Sequence, residues 1–487
     1  FALFSKLIYT IMKKIFFLVL IIQSAVSYSQ TAITSANFQE AINICLSSNP
    51  IDGLCSTSDF GAMPGWDVSN VTDMSRAFHE KTVFNGDLRA WDVSNVTDMN
   101  AMFYNAIDFN SDISNWDTSN VTNMNSMFTA CRNFNSDISA WNVSNVTDMT
   151  ALFNAAFSFN QDISTKEVTV GENTFIAWDV SNVNNMAGMF LQAKVFNGNI
   201  SNWDTSNVTN MNSMFRMAYL FNQPIGEWET SSVTNMPDLF SEAYSFNQDL
   251  NSWDVSQVTD MSYMFESAEN FNGVISNWSI NTNAVTMSGM FENAITFNQP
   301  ITQWDVSAVT NMYKMFSEAL LFNQNLEDWN ISKVGNMTRM FDDSGLSTNN
   351  FDALLIGWAQ LELDTFSPSV TLGAAGINYC SGSDARAILT SSPNNWTIND
   401  AGLNCATAGV DDQNQLDVSI YPNPASEVVY IDGNYTQLKV VIYNVLGKEL
   451  LNTSITNSID VSHLENGIYI LQLSDGVKIA THKIIKN

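Results

Sequence analysis

The sequence predicts a repeat solenoid, leucine-rich-repeat-like and made of short strands plus helical turns at a 25-residue period, followed by a small all-β sandwich. Two observations carry this. Tryptophan recurs at Trp66, Trp91, Trp116, Trp141, Trp178, Trp203, Trp228, Trp253, Trp278, Trp304 and Trp329, every step being 25 residues apart from one of 37 and one of 26. A fixed period in the range of about 20–50 residues marks stacked structural units. The last 70 residues drop the repeat for alternating apolar and polar runs broken by Pro422, Pro424, Gly447 and Gly467, which is the pattern of strands and turns.

Within a unit the apolar columns hold their places. Trp91 is followed by Val96, Met99, Met102, Phe103, Ala106, Phe109 and Ile113, and the same residue types recur in the other units. Met99, Met102, Phe103 and Ala106 fall at i, i+3, i+4 and i+7, which predicts one face of a short helical turn capped by Thr97 or Asp98. The Ser-, Asn- and Asp-rich stretch around each Trp suits short strands and tight turns. One coil cannot hide its own aromatic and Met side chains from water, but neighbours stacked on either side can.

The polar columns divide between scaffold and display. Asn110, Asn135, Asn160, Asn197, Asn222, Asn247, Asn272, Asn298 and Asn323 are expected to form an inward amide ladder that satisfies turn backbone groups. The acidic column Asp67, Asp92, Asp117, Asp179, Asp204, Asp254 and Asp305 is the candidate exposed binding ladder. Stacked carboxylates repel, so they either splay into water as turn caps or hold a cation between them. Calcium is the cation to test, although no loop carries a Gly-containing calcium motif. The "NVT" triplets at Asn70, Asn95, Asn120, Asn145 and Asn207 fit the glycosylation acceptor pattern but fall out of the repeat as turn residues. The Met rows have core spacing rather than metal-site spacing. Cys131 takes a small-residue core column, and the 37-residue step reflects an insertion, 165–176, that must loop out from one edge.

Residues 1–29 read as upstream sequence plus a signal peptide, with Lys13 and Lys14 ahead of an apolar run and a cut near Ser29. That run is too short to span a bilayer, so no transmembrane anchor is expected. Domains follow as an N-terminal cap over 30–65, the eleven-unit array over 66–345, a C-terminal cap over 346–408, a linker over 409–417 and the sandwich over 418–487. In an exported chain Cys45, Cys55, Cys380 and Cys405 suggest two local disulfides, one in each cap, although four cysteines allow three pairings.

The formal charge is -30, and between Trp66 and Gly345 there are 10 basic and 32 acidic side chains. This excludes nucleic acid and anionic membranes as direct partners. Only His79, His463 and His482 are present, and no nucleophile, zinc, nucleotide or dinucleotide signature occurs, so neither catalysis nor a cofactor is expected.

The repeat, "VTDMSRAF" at 71–78 and "VTDMNAMFYNAIDFNSDISNWDTSN" at 96–120, resembles that of BspA-type leucine-rich-repeat bacterial surface proteins, with flanking segments that look like their caps. The tail, "YPNPASEVVYI" at 421–431, "VVIYNVLGKEL" at 440–450 and "IDVSHLENGIYILQLSDG" at 459–476, resembles the type A sorting domain of type IX secretion. The resemblances imply export to the cell surface or the medium through the type IX machinery, with the array as an adhesin-like, non-catalytic module for a protein or polysaccharide ligand. A structural coat or spacer protein is the alternative, and a hydrolase built around the insertion a weaker one.

Overall fold

A computed structural model describes residues 31–282, 285–361, 370–405, 416, 418–433, 435, 437–444, 448–476 and 478–487. The signal peptide expected over 1–29 and nearly all of the linker expected over 409–417 lie outside the described residues. Two compact units divide between Leu403 and Asn404, ahead of that linker.

The first unit opens with α1, Phe38–Ser48, whose Phe38, Ala41, Ile42, Cys45 and Leu46 are buried at helical spacing. Phe38 packs edge-on against Trp91 with ring centroids 5.7 Å apart, so the helix covers the apolar end of the first coils. A disulfide joins Cys45 to Cys55 behind the helix. Cys380 and Cys405 are also disulfide-bonded.

The tandem copies stack in register. One residue per copy forms a parallel bridge to the next, running Asp73, Asp98, Asn123, Asp148, Asn185 and onward to Asn336. The short strands expected are thus reduced to single bridges, apart from β3 (Val285–Thr286) and β4 (Val309–Asn311), and the insertion forms β1 (Lys166–Val170) and β2 (Asn173–Ala177). Extension ends there because the bridge residue also closes a turn: Asp98 Oδ1 accepts the N–H of Asn100 at 2.8 Å. Asp98 therefore caps a turn, though not the expected helical turn.

The helical turn over Met99–Ala106 is not a helix. The N–H groups of Met99, Ala101, Phe103 and Asn105 donate to the carbonyls of Asn123, Asn125, Met127 and Thr129 in the next copy, at 2.7–2.9 Å. Those of Met102, Tyr104 and Ala106 donate three residues back, to Met99, Ala101 and Phe103. The segment is therefore a run of overlapping turns, with Ala101 (φ 51) and Asn105 (φ 55) in the left-handed region. Helix formation loses because every second N–H is used between copies. A left-handed non-glycine residue costs about 1–2 kcal/mol, and most copies accept two such positions in exchange for that ladder, Gly188 and Gly289 taking one of the two in their copies. The predicted grouping of side chains still holds, since Met99, Met102, Phe103 and Ala106 are all fully buried.

Aromatic columns fill the interior. Phe103 stacks on Phe109 of its own copy at 3.8 Å and on Phe128 of the next at 5.6 Å, while Trp116 stacks on Trp141 at 6.3 Å. From Trp91 to Trp329 each indole N–H in the column donates to a carbonyl 28–40 residues earlier, as Trp203 does to Ile163 at 2.9 Å. The column gains an unanticipated rung at Trp358, on α2 (Thr348–Trp358), whose N–H reaches the Leu326 carbonyl at 3.2 Å. Beyond it β5 (Thr371–Ala374) and β6 (Thr397–Asp400) pair in parallel, separated by α3 (Ser383–Thr390), and Leu372 bridges Met337 to extend the ladder. Asp352, almost fully buried, accepts the N–H groups of Cys380, Ser381 and Gly382 and fixes the start of α3.

The second unit has two sheets sharing one core. One runs β10 (Glu449–Ile455), β9 (Leu438–Asn444), β12 (Gly467–Ser474), β13 (Ile479–Lys486); the other runs β11 (Ser458–Asp460), β8 (Val428–Gly433), β7 (Val418–Tyr421). Val429, Ile431, Val440, Ile442, Leu471 and Ile484 are buried between them, the alternation the sequence carries. Among the described residues no helix is long and apolar enough to cross a membrane.

Candidate functional site

The seven aspartates of the candidate ladder, Asp67 through Asp305, share one local geometry. Each Oδ1 accepts the N–H of a serine two residues on, at 2.9–3.1 Å. Asp179 is half-buried and the others are exposed. The Ser69 and Ser307 hydroxyls and N–H groups hold the carboxyls of Asp67 and Asp305 below the usual carboxylate range. The aspartates are turn caps repeated along one edge, and among the described residues no group of three or more His, Cys, Asp or Glu converges as a metal site.

The asparagine ladder lies elsewhere than expected. Asn135, Asn160, Asn197 and the later members each donate their backbone N–H to the preceding Asn Oδ1, at 2.7–2.9 Å. The backbone role is the anticipated one, but the side chains stand at the surface rather than inward. The turn they serve is on the rim, because the inside is already filled by Phe columns. The "NVT" asparagines act similarly: Asn95 Nδ2 donates to the Ser69 carbonyl and Asn120 Nδ2 to that of Ser94. Cys131 is free and fully buried; its thiol donates to the Phe103 carbonyl, and burial pushes its pKa far up, which leaves it without nucleophilic character.

The insertion breaks this uniformity. β1 and β2 pair antiparallel around the two-residue loop Gly171–Glu172, with Gly171 at φ 63. Alternation puts Val168 and Phe175 of the hairpin against the main core. Thr165 ties its base to the array, its N–H donating to Asn202 Oδ1 at 3.0 Å and its hydroxyl to the Trp178 carbonyl at 2.8 Å. Instead of merely looping out, the hairpin folds back over earlier copies. Between them lies a cleft of about 380 Å³, walled by Asn115, Asp117, Thr118 and Asn142 on the array and by Asn173 and Phe175 on the hairpin. Of the seven aspartates only Asp117 lines it. The sequence marks the insertion as the irregular feature a partner could single out, but it does not pick out individual hairpin residues, because nothing local says which copy they cover. Their alternation, Val168 and Val170 against Phe175, was the available signal that one face would be apolar.

The family described as "Mycoplasma protein of unknown function, DUF285" matches three tandem stretches, residues 54–166, 165–278 and 249–358, which together cover more than half of the chain. The family described as "Secretion system C-terminal sorting domain" matches residues 419–487. No curated protein matches the chain.

Proposed function

Since the chain belongs to the DUF285 family and ends in a type IX secretion sorting domain, which places it at the cell surface or outside the cell, we propose that it is a non-catalytic, adhesin-like binding protein. The sorting domain is its contact with the secretion machinery. On this reading the copies form a continuous leucine-rich-repeat-like solenoid of the BspA type, and the ligand is a polysaccharide or protein lying along its acidic edge.

The cleft beneath the hairpin is the observation that carries the proposal. It is concave, of a size that suits a small ligand unit, and mixes amides, a carboxylate and several hydroxyls around Phe175. That lining favours a polysaccharide, whose hydroxyls pair with amides and carboxylates while an aromatic covers the sugar's apolar face. The test is the full chain on an array of polysaccharides and matrix proteins, beside a variant with 166–176 replaced by a Gly-Ser turn. Binding that drops at least tenfold in the variant supports the proposal. No binding to any surface that a control adhesin recognises would sink it.

A spacer role is the second reading, favoured by the extent to which the polar columns are used between copies. Deleting two internal copies would merely shorten a spacer.

A further inference from the structure

A second cleft, of about 450 Å³, opens where α1 meets the first copy, and its chemistry is opposite to that of the array. Its lining includes Arg76, His79 and Lys81, with Ser35, Gln39 and Ser75 as neutral donors. Two of the 10 basic residues between Trp66 and Gly345 thus face one cleft, beside one of the chain's three histidines.

These cations carry no ion pair among the described residues. Arg89, Arg216, Lys314, Arg339 and Arg386 each pair with a carboxylate, whereas among the described residues Arg76 and Lys81, like Arg132, Lys166, Lys194 and Lys333, have none; Arg76 and Lys81 are the two that share a cleft. Lys81 Nζ donates to Asn43 Oδ1 of α1 at 3.2 Å, and Arg76 Nη2 lies 3.2 Å from His79 Nε2. The His79 ring is held flat on Tyr104 at 4.8 Å. One carboxylate, Asp73, lines the cleft, and its Oδ1 is engaged by the Ser75 N–H at 2.8 Å. In a region of net charge -22, carboxylate partners were plentiful. Cations fixed by an amide and an aromatic, and facing a cavity, are a preorganised anion receptor.

We propose that this cleft binds the oxyanion of an acidic sugar, carboxylate or sulfate. The volume exceeds that of a bare oxyanion and falls within the range of small-ligand pockets. Arg76 supplies a planar fork suited to an oxyanion, Lys81 a point charge, and Ser35, Ser75 and Gln39 donors for ring hydroxyls. This assignment does not depend on the cleft beneath the hairpin, and its failure would leave that proposal standing.

The experiment is calorimetric titration of the full chain at low ionic strength with galacturonate and N-acetylglucosamine 6-sulfate, each beside its neutral counterpart, galactose and N-acetylglucosamine. At least one charged sugar should bind, roughly tenfold or more tighter than its counterpart. Arg76→Gln and Lys81→Gln should each remove that preference, with an unchanged unfolding midpoint showing the fold intact. Arg89→Gln, an exposed cation outside the cleft, should leave it unchanged. The charged arm that binds identifies the oxyanion. The assignment is overturned if neither charged sugar outbinds its counterpart, if Arg76→Gln and Lys81→Gln retain the preference, or if Arg89→Gln loses it equally.

Discussion

Replacing Asn222 by Ala removes one rung of the asparagine ladder. Its Oδ1 accepts two hydrogen bonds from the next copy, the N–H of Asn247 at 2.9 Å and the Gln248 side-chain amide at 2.8 Å, while its own N–H still donates to Asn197. Each lost bond at a half-exposed site is worth about 0.5–1 kcal/mol, because water replaces part of it, so the expected cost is about 1–2 kcal/mol. Repetition of the column does not multiply the cost, since energies in a stacked array are set between nearest neighbours. Asn222→Asp keeps the acceptor and should cost less than about 0.5 kcal/mol. Urea unfolding followed by tryptophan fluorescence is the assay, and all 13 Trp residues lie at or before Trp396, so it reports the repeat unit alone. A denaturant slope of about 3 kcal/mol per molar puts the Ala midpoint about 0.3–0.7 M below the parent. Equal midpoints for Ala and Asp would refute the ladder's role, whether both shifted or neither did.

Gly289 (φ 61) occupies a left-handed column, and a Cβ there would run into the Tyr263 ring, so Gly289→Ala should cost about 2 kcal/mol or more and lower the same midpoint, whereas Ser213→Gly at φ 53 should leave it equal or raised. Acid should weaken the array: Arg89 holds Asp87 at about 2, and serine caps hold Asp67, Asp112 and Asp305 below 3.8. Carboxyls depressed in the fold contribute stability that is present above the ordinary carboxylate pKa and lost as pH falls through the folded values, so the midpoint should drop between about pH 4 and pH 2. Asp238, raised by burial, acts in the opposite sense. Converting Asp67 and Asp305 to Asn, which still accepts the serine N–H, should flatten part of that decline, and an unchanged decline would count against the caps as its source. Cys131, buried with a raised pKa, should resist a thiol reagent in the folded chain and react on unfolding, which mass spectrometry reads directly.

The period, the buried columns and the sheet-rich tail were legible in the sequence because each rests on side-chain type at fixed spacing. Met99, Met102, Phe103 and Ala106 do face the core together. Their backbone was not legible, because i, i+3, i+4, i+7 spacing arises equally from overlapping turns once alternate N–H groups are drawn into the next copy. The asparagines were placed in the wrong layer for a related reason: a ladder that satisfies backbone can stand inside or at the rim, and only the Phe columns, already filling the interior, decide between them. The hairpin's placement and the cationic cleft depend on contacts between residues far apart in the chain, such as Lys81 with Asn43, 38 residues away, for which no local pattern exists.

These placements bear on where recognition can occur. Through most of the array the Asp, Asn and "NVT" columns hold a turn or the next copy, so a ligand reading them would find nearly the same groups at every level and no reason to stop at one. Under the proposed binding function, specific recognition would then fall to places where the repeat is broken. Two are concave: the hairpin over Asp117 and Asn142, and the junction of α1 with the first copy at Arg76 and Lys81. The first presents a carboxylate among amides and the second presents cations. A chain that carried both a neutral and an acidic unit could engage each break with different chemistry, while the copies between them set the distance.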